Sequence, residues 1–210
     1  MIDHTPLGQL KDFWDKEGMP YILSILDGRY RVPEIQTYAT HLLGEVQARY
    51  SFQLQVTLST TNSKDRAGKN IVLPFGASAS QGRPTITFFV PAVRTLFREL
   101  RQKKLEGFRG RFERMLVTGF CHELDHLSRG MLERPTASQF VDDERIANAA
   151  TCQNVMRVFV EVCGEELDKA DMKVYAKWVA CGRNAESQQW RDFIASTYGT
   201  ISRGAWFASS

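Results

Sequence analysis

The stretch Thr85-Ile86-Thr87-Phe88-Phe89-Val90-Pro91 marks the point where the chain changes its period. Before it, apolar residues alternate with polar ones: Phe52, Leu54, Val56 and Leu58 in SFQLQVTLST place one side chain in two on the same face, the mark of a half-buried strand. Ile71 to Phe75 is a further short apolar run, and Thr85 to Val90 is the last strand candidate. The segments TNSKDRAGKN (61–70) and GASASQGRP (76–84), rich in Gly, Ser, Asn and Asp, read as loops. After Pro91 strand signals cease. Helical spacing then predicts Ala92 to Lys104, Phe112 to about Arg129, Gln139 to about Val162, Glu165 to Ala180 and Ala185 to Thr197.

Upstream, residues 7–16 read as a short helix. Tyr21 to Leu26 (YILSIL) is apolar enough for a strand or a buried turn of helix, and Asp27-Gly28 closes it. From Pro33 to about Tyr50, the positions Ile35, Tyr38, Leu42, Leu43, Val46 and Tyr50 recur at helical steps behind a proline suited to a first turn. The predicted fold is therefore α+β: a small mixed sheet followed by a mostly helical half. Residues 1–110 form the helix-plus-sheet part and residues 111–210 the helical part, in one compact domain with a cleft between them.

The 210 residues are 43% hydrophobic and 24% charged, with 13 Phe, 4 Trp and 6 Tyr, which excludes disorder and supplies a sizeable core. A net charge of +3 is too small to imply an obligate nucleic-acid or membrane partner. Eight basic residues between Arg94 and Arg114 (Arg94, Arg98, Arg101, Lys103, Lys104, Arg109, Arg111, Arg114) are interleaved with Glu99, Glu106 and Glu113 and read as a solvated face. The C-terminal aromatics Trp178, Trp190, Phe193, Tyr198, Trp206 and Phe207 read as helical core. Cys121, Cys152, Cys163 and Cys181 form no CxxC pair and are expected as reduced thiols. With no signal-like N-terminus and no apolar run near the length of a membrane span, the expected location is cytoplasmic.

Four histidines are present, and two of them, His122 and His126, lie in Gly119-Phe120-Cys121-His122-Glu123-Leu124-Asp125-His126-Leu127. On a helix, residues four apart share a face, so both imidazoles can reach one ion. Zinc is the expected ion, since neutral imidazole suits it and a catalytic site takes three protein ligands plus water. Glu123 lies about 100° round the helix from His122. There it can take a proton from a water that the metal has acidified. No histidine follows His126, which rules out a downstream histidine as third ligand; the acidic candidates are Glu133, Asp142, Asp143, Glu144, Glu161, Glu165 and Glu166. Glu144 is preferred and Asp143 is second choice. Glu144 stands across a loop long enough to reverse direction, in the first turns of the next helix and beside that helix's apolar face. Asn148, one turn on, could accept the free ring N–H of His122.

These residues resemble the gluzincin group of zinc metallopeptidases, to which thermolysin belongs. The resemblance implies His122, His126 and Glu144 as metal ligands, Glu123 as general base and acid, and Asn148 as the outer partner of a ligand. It also implies a last strand, Thr85 to Val90, bordering the cleft and pairing with extended substrate. An oxyanion donor would come from Tyr175, Tyr198 or Arg183, with Tyr175 first. The chain departs from the group at Asp125, at Ser128 and at Asn148, where an aspartate is commoner. The implied activity is zinc-dependent peptide-bond hydrolysis on a peptide or protein substrate. The alternatives are a zinc-retaining peptide-recognition or regulatory module with little turnover, and a basic-helix module in which the motif is incidental.

Overall fold

The computed structural model describes residues 7–64, 70–71, 73–102, 107–130 and 136–205. Helix α1 (Leu7–Phe13) runs through a π-helical stretch, Trp14–Gly18, into α2 (Met19–Leu26). The wide turn gives room to the Trp14 indole, which occupies the space a Cβ on Gly18 would need. Tyr21–Leu26 is thus helical, with Ile22 and Ile25 buried, and ends where Gly28 adopts φ +71°. Helix α3 (Pro33–Arg49) buries Ile35, Leu42 and Val46 of the predicted stripe together with Ala39, while Tyr38, Leu43 and Tyr50 are half-buried.

Five strands follow: β1 (Gln55–Ser59), β2 (Ser63–Lys64), β3 (Asn70–Ile71), β4 (Phe75–Ser78) and β5 (Thr85–Phe89). β2 and β3 form a separate antiparallel pair. The main sheet is mixed, in the order β1-β5-β4: β1 runs parallel to β5 with Val56 opposite Ile86, and β4 runs antiparallel to β5 with Ala77 opposite Ile86. This corrects three expectations. Gly76–Ser78, which reads as loop, is strand, and so are Ser63–Lys64 and Asn70 in the segment 61–70. Thr85–Phe89, expected at the edge, is the central strand, and β4 is an edge. Gly, Ala and Ser carry little strand propensity of their own, so β4 is imposed by pairing with β5. β5 has the right pattern for the centre, with Ile86 and Phe88 fully buried towards the helices.

Helix α4 (Val90–Gln102) starts directly after β5, with Pro91 in its first turn, where it costs no hydrogen bond. Helix α5 (Phe108–Arg129) is buried along most of its length by Phe112, Leu116, Val117, Phe120, Leu124 and Leu127. Helix α6 (Ala137–Thr151) opens on a capping box between Thr136 and Gln139. It continues through π-helical turns, Cys152–Met156 and Val158–Val162, as the single rod expected from Gln139 to Val162. Helix α7 (Lys169–Ala180) is capped by Asp168, and α8 (Gln188–Ala205) completes the described chain.

The larger core joins α1 to α5 and the sheet to the end of α6. Phe88 sits at its centre, with ring centroids 4.5 Å from Trp14, 5.6 Å from Phe75 and 6.3 Å from Phe120. A second cluster (Cys152, Met156, Trp178, Trp190, Ile194) packs α6, α7 and α8 together, as read for Trp178 and Trp190. Trp206 and Phe207, Lys103, Lys104, Glu106 and Glu133 lie outside the described residues. All four cysteines are free thiols, and no described helix is long and apolar enough to cross a membrane.

Candidate metal centre

His122 and His126 project from the same face of α5 towards Glu144 in the second turn of α6. Their Nε2 atoms are 3.0 Å apart. Glu144 sets Oε2 3.3 Å from His122 Nε2 and Oε1 3.5 Å from His126 Nε2. Tetrahedral coordination with metal–ligand bonds of about 2.0–2.2 Å places ligand atoms about 3.3–3.6 Å from one another. The three side chains therefore approximate the spacing of one closed face of such a site. They form a cluster able to hold a metal ion, and their positions match the ligand spacing of a His-Glu-x-x-His zinc site.

The electrostatics point the same way. Glu144 is buried, which by itself raises a carboxyl pKa, yet hydrogen bonds and charge from both histidines hold it well below the usual range. Burial pulls His126 down, but hydrogen bonds to Asp143 and Glu144 and the charges of Glu144 and Glu123 outweigh it, so that His126 is pushed up to about 10. The positive charge between these carboxylates is thus the His126 imidazolium, which a metal ion would replace.

Asp143, the second-choice ligand, faces the other side of the ring: its Oδ2 lies 2.6 Å from His126 Nδ1. This contact fixes which nitrogen of His126 points to Glu144. Arg129 holds Asp143 in turn, bonding its Oδ1, and also donates Nε to Asp125 Oδ1 at 2.7 Å. Asp125 accepts the Tyr38 hydroxyl at 3.3 Å. The unusual charge at Asp125 is thereby explained: a chain Tyr38–Asp125–Arg129–Asp143–His126 ties α3, α5 and α6 to one ring. The i, i+4 spacing of Asp125 and Arg129 was a legible signal for its first half; the reach to Asp143 was not.

Asn148 does not serve His122. Its Nδ2 donates to the Glu144 backbone carbonyl at 2.8 Å and to Glu144 Oε2 at 3.4 Å, and its Oδ1 accepts the Tyr198 hydroxyl at 3.2 Å. It orients the carboxylate instead. Tyr198 borders the cavity. Tyr175 and Arg183 both bind Glu161 Oε1, each at 2.9 Å, and are not among the cavity walls. The remaining acidic candidates are also engaged elsewhere: Asp142 with Arg145, Glu165 with Arg114 and Arg31, and Glu166 with Arg111.

The cluster opens into a cavity of about 390 Å³ whose nearer wall is β4, through Phe75, Gly76 and Ala77. Glu123 lines this cavity, and the Ala77 backbone hydrogen-bonds its carboxylate. Burial and the charge of Glu144 push the Glu123 carboxyl up, against the two histidines and the Ala77 contact. Among the described residues no strand pairs with the outer edge of β4. The close approach of β4 to α5 depends on Gly119, over which the Phe75 ring lies.

No family model, no curated protein and no solved structure matches the chain. The likeness to a gluzincin-type site rests on this cluster and its surroundings.

Proposed function

We propose that the chain is a zinc-dependent metallopeptidase, with His122, His126 and Glu144 as zinc ligands and Glu123 as general base. One observation carries the reading: two imidazole nitrogens and a carboxylate converge at 3.0–3.5 Å in the wall of a cavity that Glu123 also lines. Bound there, zinc supplies Lewis acidity, the chemistry that polarises a carbonyl and makes water nucleophilic at neutral pH.

The chain's own residues do the rest. Glu123 takes the proton of the attacking water at its carboxylate and returns it to the departing amine. The Ala77 backbone holds that carboxylate against β4, which keeps the base and the bound peptide in a fixed relation. β4 offers an extended substrate an edge to pair with, the role the resemblance assigns to Thr85–Val90. Asp143 and Asn148 orient His126 and Glu144 and are positioning residues. Tyr198 borders the cavity with its hydroxyl on Asn148, while Tyr175 would need to leave Glu161 to act on a substrate.

Metal analysis of the purified chain paired with peptide-library cleavage tests this. About one equivalent of zinc is expected, lost in His122→Ala, with cleavage abolished in Glu123→Gln while zinc is retained. A chain that folds normally and binds no zinc overturns the reading. Zinc without Glu123-dependent cleavage would reduce the protein to the zinc-retaining recognition module.

A further inference from the structure

The cavity extends past the candidate centre. Beyond Asn148 its walls pass to Thr151 and Met156 on the rod of α6, to Met115 and Thr118 on α5, and to Val174 and Asp171 on α7. Met115, Met156 and Val174 make this arm apolar, and Asp171 gives it a carboxylate.

Asp171 shares its cation with a second carboxylate. Its nearest cation, Arg114, is fully buried on α5, with Nε 3.6 Å from Asp171 Oδ2, too far for a hydrogen bond. Arg114 directs Nη1 to Glu165 at 3.2 Å, so one guanidinium serves two carboxylates. Asp168 adds a further negative charge one turn earlier on α7. Burial first and Asp168 second push Asp171 up to about 6, with Arg114 opposing them. Arg114 is not a wall of this cavity, so a ligand entering the arm meets the carboxylate rather than the guanidinium.

We propose that this arm is a side-chain subsite and that Asp171 selects a peptide with a basic residue, lysine or arginine, next to the scissile bond. The inference rests on the peptidase reading and narrows its substrate class. The apolar walls fit the methylene stem of such a side chain, and the charged head ends at the carboxylate. An apolar side chain of equal length would take water from the Asp171 carboxylate and offer it no charge in return. An acidic one would face Asp171 as a like charge.

The test uses paired peptides that differ only in carrying lysine or its uncharged isostere norleucine beside the cleavable bond. The zinc-loaded wild-type chain is expected to prefer the lysine peptide by at least about tenfold in kcat/KM. Asp171→Asn should bring that ratio close to one, and Asp171→Glu, which keeps the charge, should preserve it. Zinc content and thermal unfolding report whether each variant is folded. A parallel titration of both peptides into the Glu123→Gln chain reads discrimination without turnover. Cleavage with no lysine preference, or a preference that survives Asp171→Asn, overturns the subsite and leaves the peptidase reading intact. Discrimination in binding that depends on Asp171, with no cleavage by the wild type, supports the subsite and removes the peptidase reading. Neither cleavage nor discrimination overturns both.

Discussion

Gly119→Ala sets two effects of known size against each other at the point where α5 carries the candidate centre past β4. A Cβ at position 119 would lie 2.2, 2.5 and 2.6 Å from Phe75 Cε2, Cδ2 and Cζ. Comfortable carbon–carbon separations are roughly 3.5–4.0 Å, so the ring or its strand must retreat by about 1 Å or more. The ring has little freedom to do so. It stands edge-on to Phe88, which is held between Trp14 and Phe120. The displacement therefore passes into β4 and into the contact between Ala77 and Glu123. Exposed on an isolated helix, the same substitution would be favourable by about 0.8–1.0 kcal/mol. Overpacking costs about 1–3 kcal/mol. The net expectation is a loss of up to about 2 kcal/mol, or a Tm lower by up to about 8 °C for a chain of this size. Thermal and urea unfolding of the wild type, Gly119→Ala, Phe75→Ala and the double variant measure it. In the Phe75→Ala background, where the ring is gone, Gly119→Ala should become neutral or stabilising. A Gly119→Ala chain more stable than the wild type would refute the close approach, and with it the placement of β4 against Glu123.

Zinc affinity should fall to background in His126→Ala and drop strongly in Glu144→Gln, whereas Glu161→Gln should leave it unchanged; competition with a chromogenic chelator reads all three. Asp143→Asn keeps a partner for His126 but removes the charge, and should weaken zinc binding by about 10–100-fold without unfolding the chain; unchanged affinity would show that Asp143 does not position the ring. Asp171 lies above its unfolded-state value, at about 6 against 3.8, so the folded chain binds the proton more readily between those values. Its contribution to stability is therefore greatest in acid and declines as pH rises through that window. Unfolding free energies from pH 4 to 7 should show the wild type losing ground to Asp171→Asn as pH rises, and parallel curves would contradict the assignment.

Much of this was legible in the residues because it follows from local rules. The i, i+4 histidines share a face on any helix, and Glu144 is the carboxylate that a reversing loop returns to them. The stripe through Ile35, Leu42 and Val46 and the buried pair Ile86 and Phe88 follow in the same way from residue type and period. Tyr21–Leu26 stayed ambiguous because an apolar run of six satisfies either period; packing of Ile22 and Ile25 into the core made it helix. Asn148 and Asp143 exchanged their expected surroundings for a reason no spacing carries. Adjacent residues on α6 point about 100° apart, so which of them meets a ring and which meets water depends on how α6 is rotated against α5.

The sequence by itself determined the chemistry on offer: two imidazoles on one face, a neighbouring base, a carboxylate across a loop, and no other histidine to compete downstream. Only the tertiary structure decided which strand borders that chemistry and what lies beyond it. Gly76–Ser78 has no strand preference of its own, and it becomes the cavity edge because β5 pairs with it and because Gly119 lets Phe75 come close. Asp171 stands 27 positions after Glu144 in the chain and joins the same cavity because α7 packs on the rod of α6. Hydrophobic period is a property of neighbours along the chain. Strand order and cavity walls are contacts between distant segments, fixed by packing.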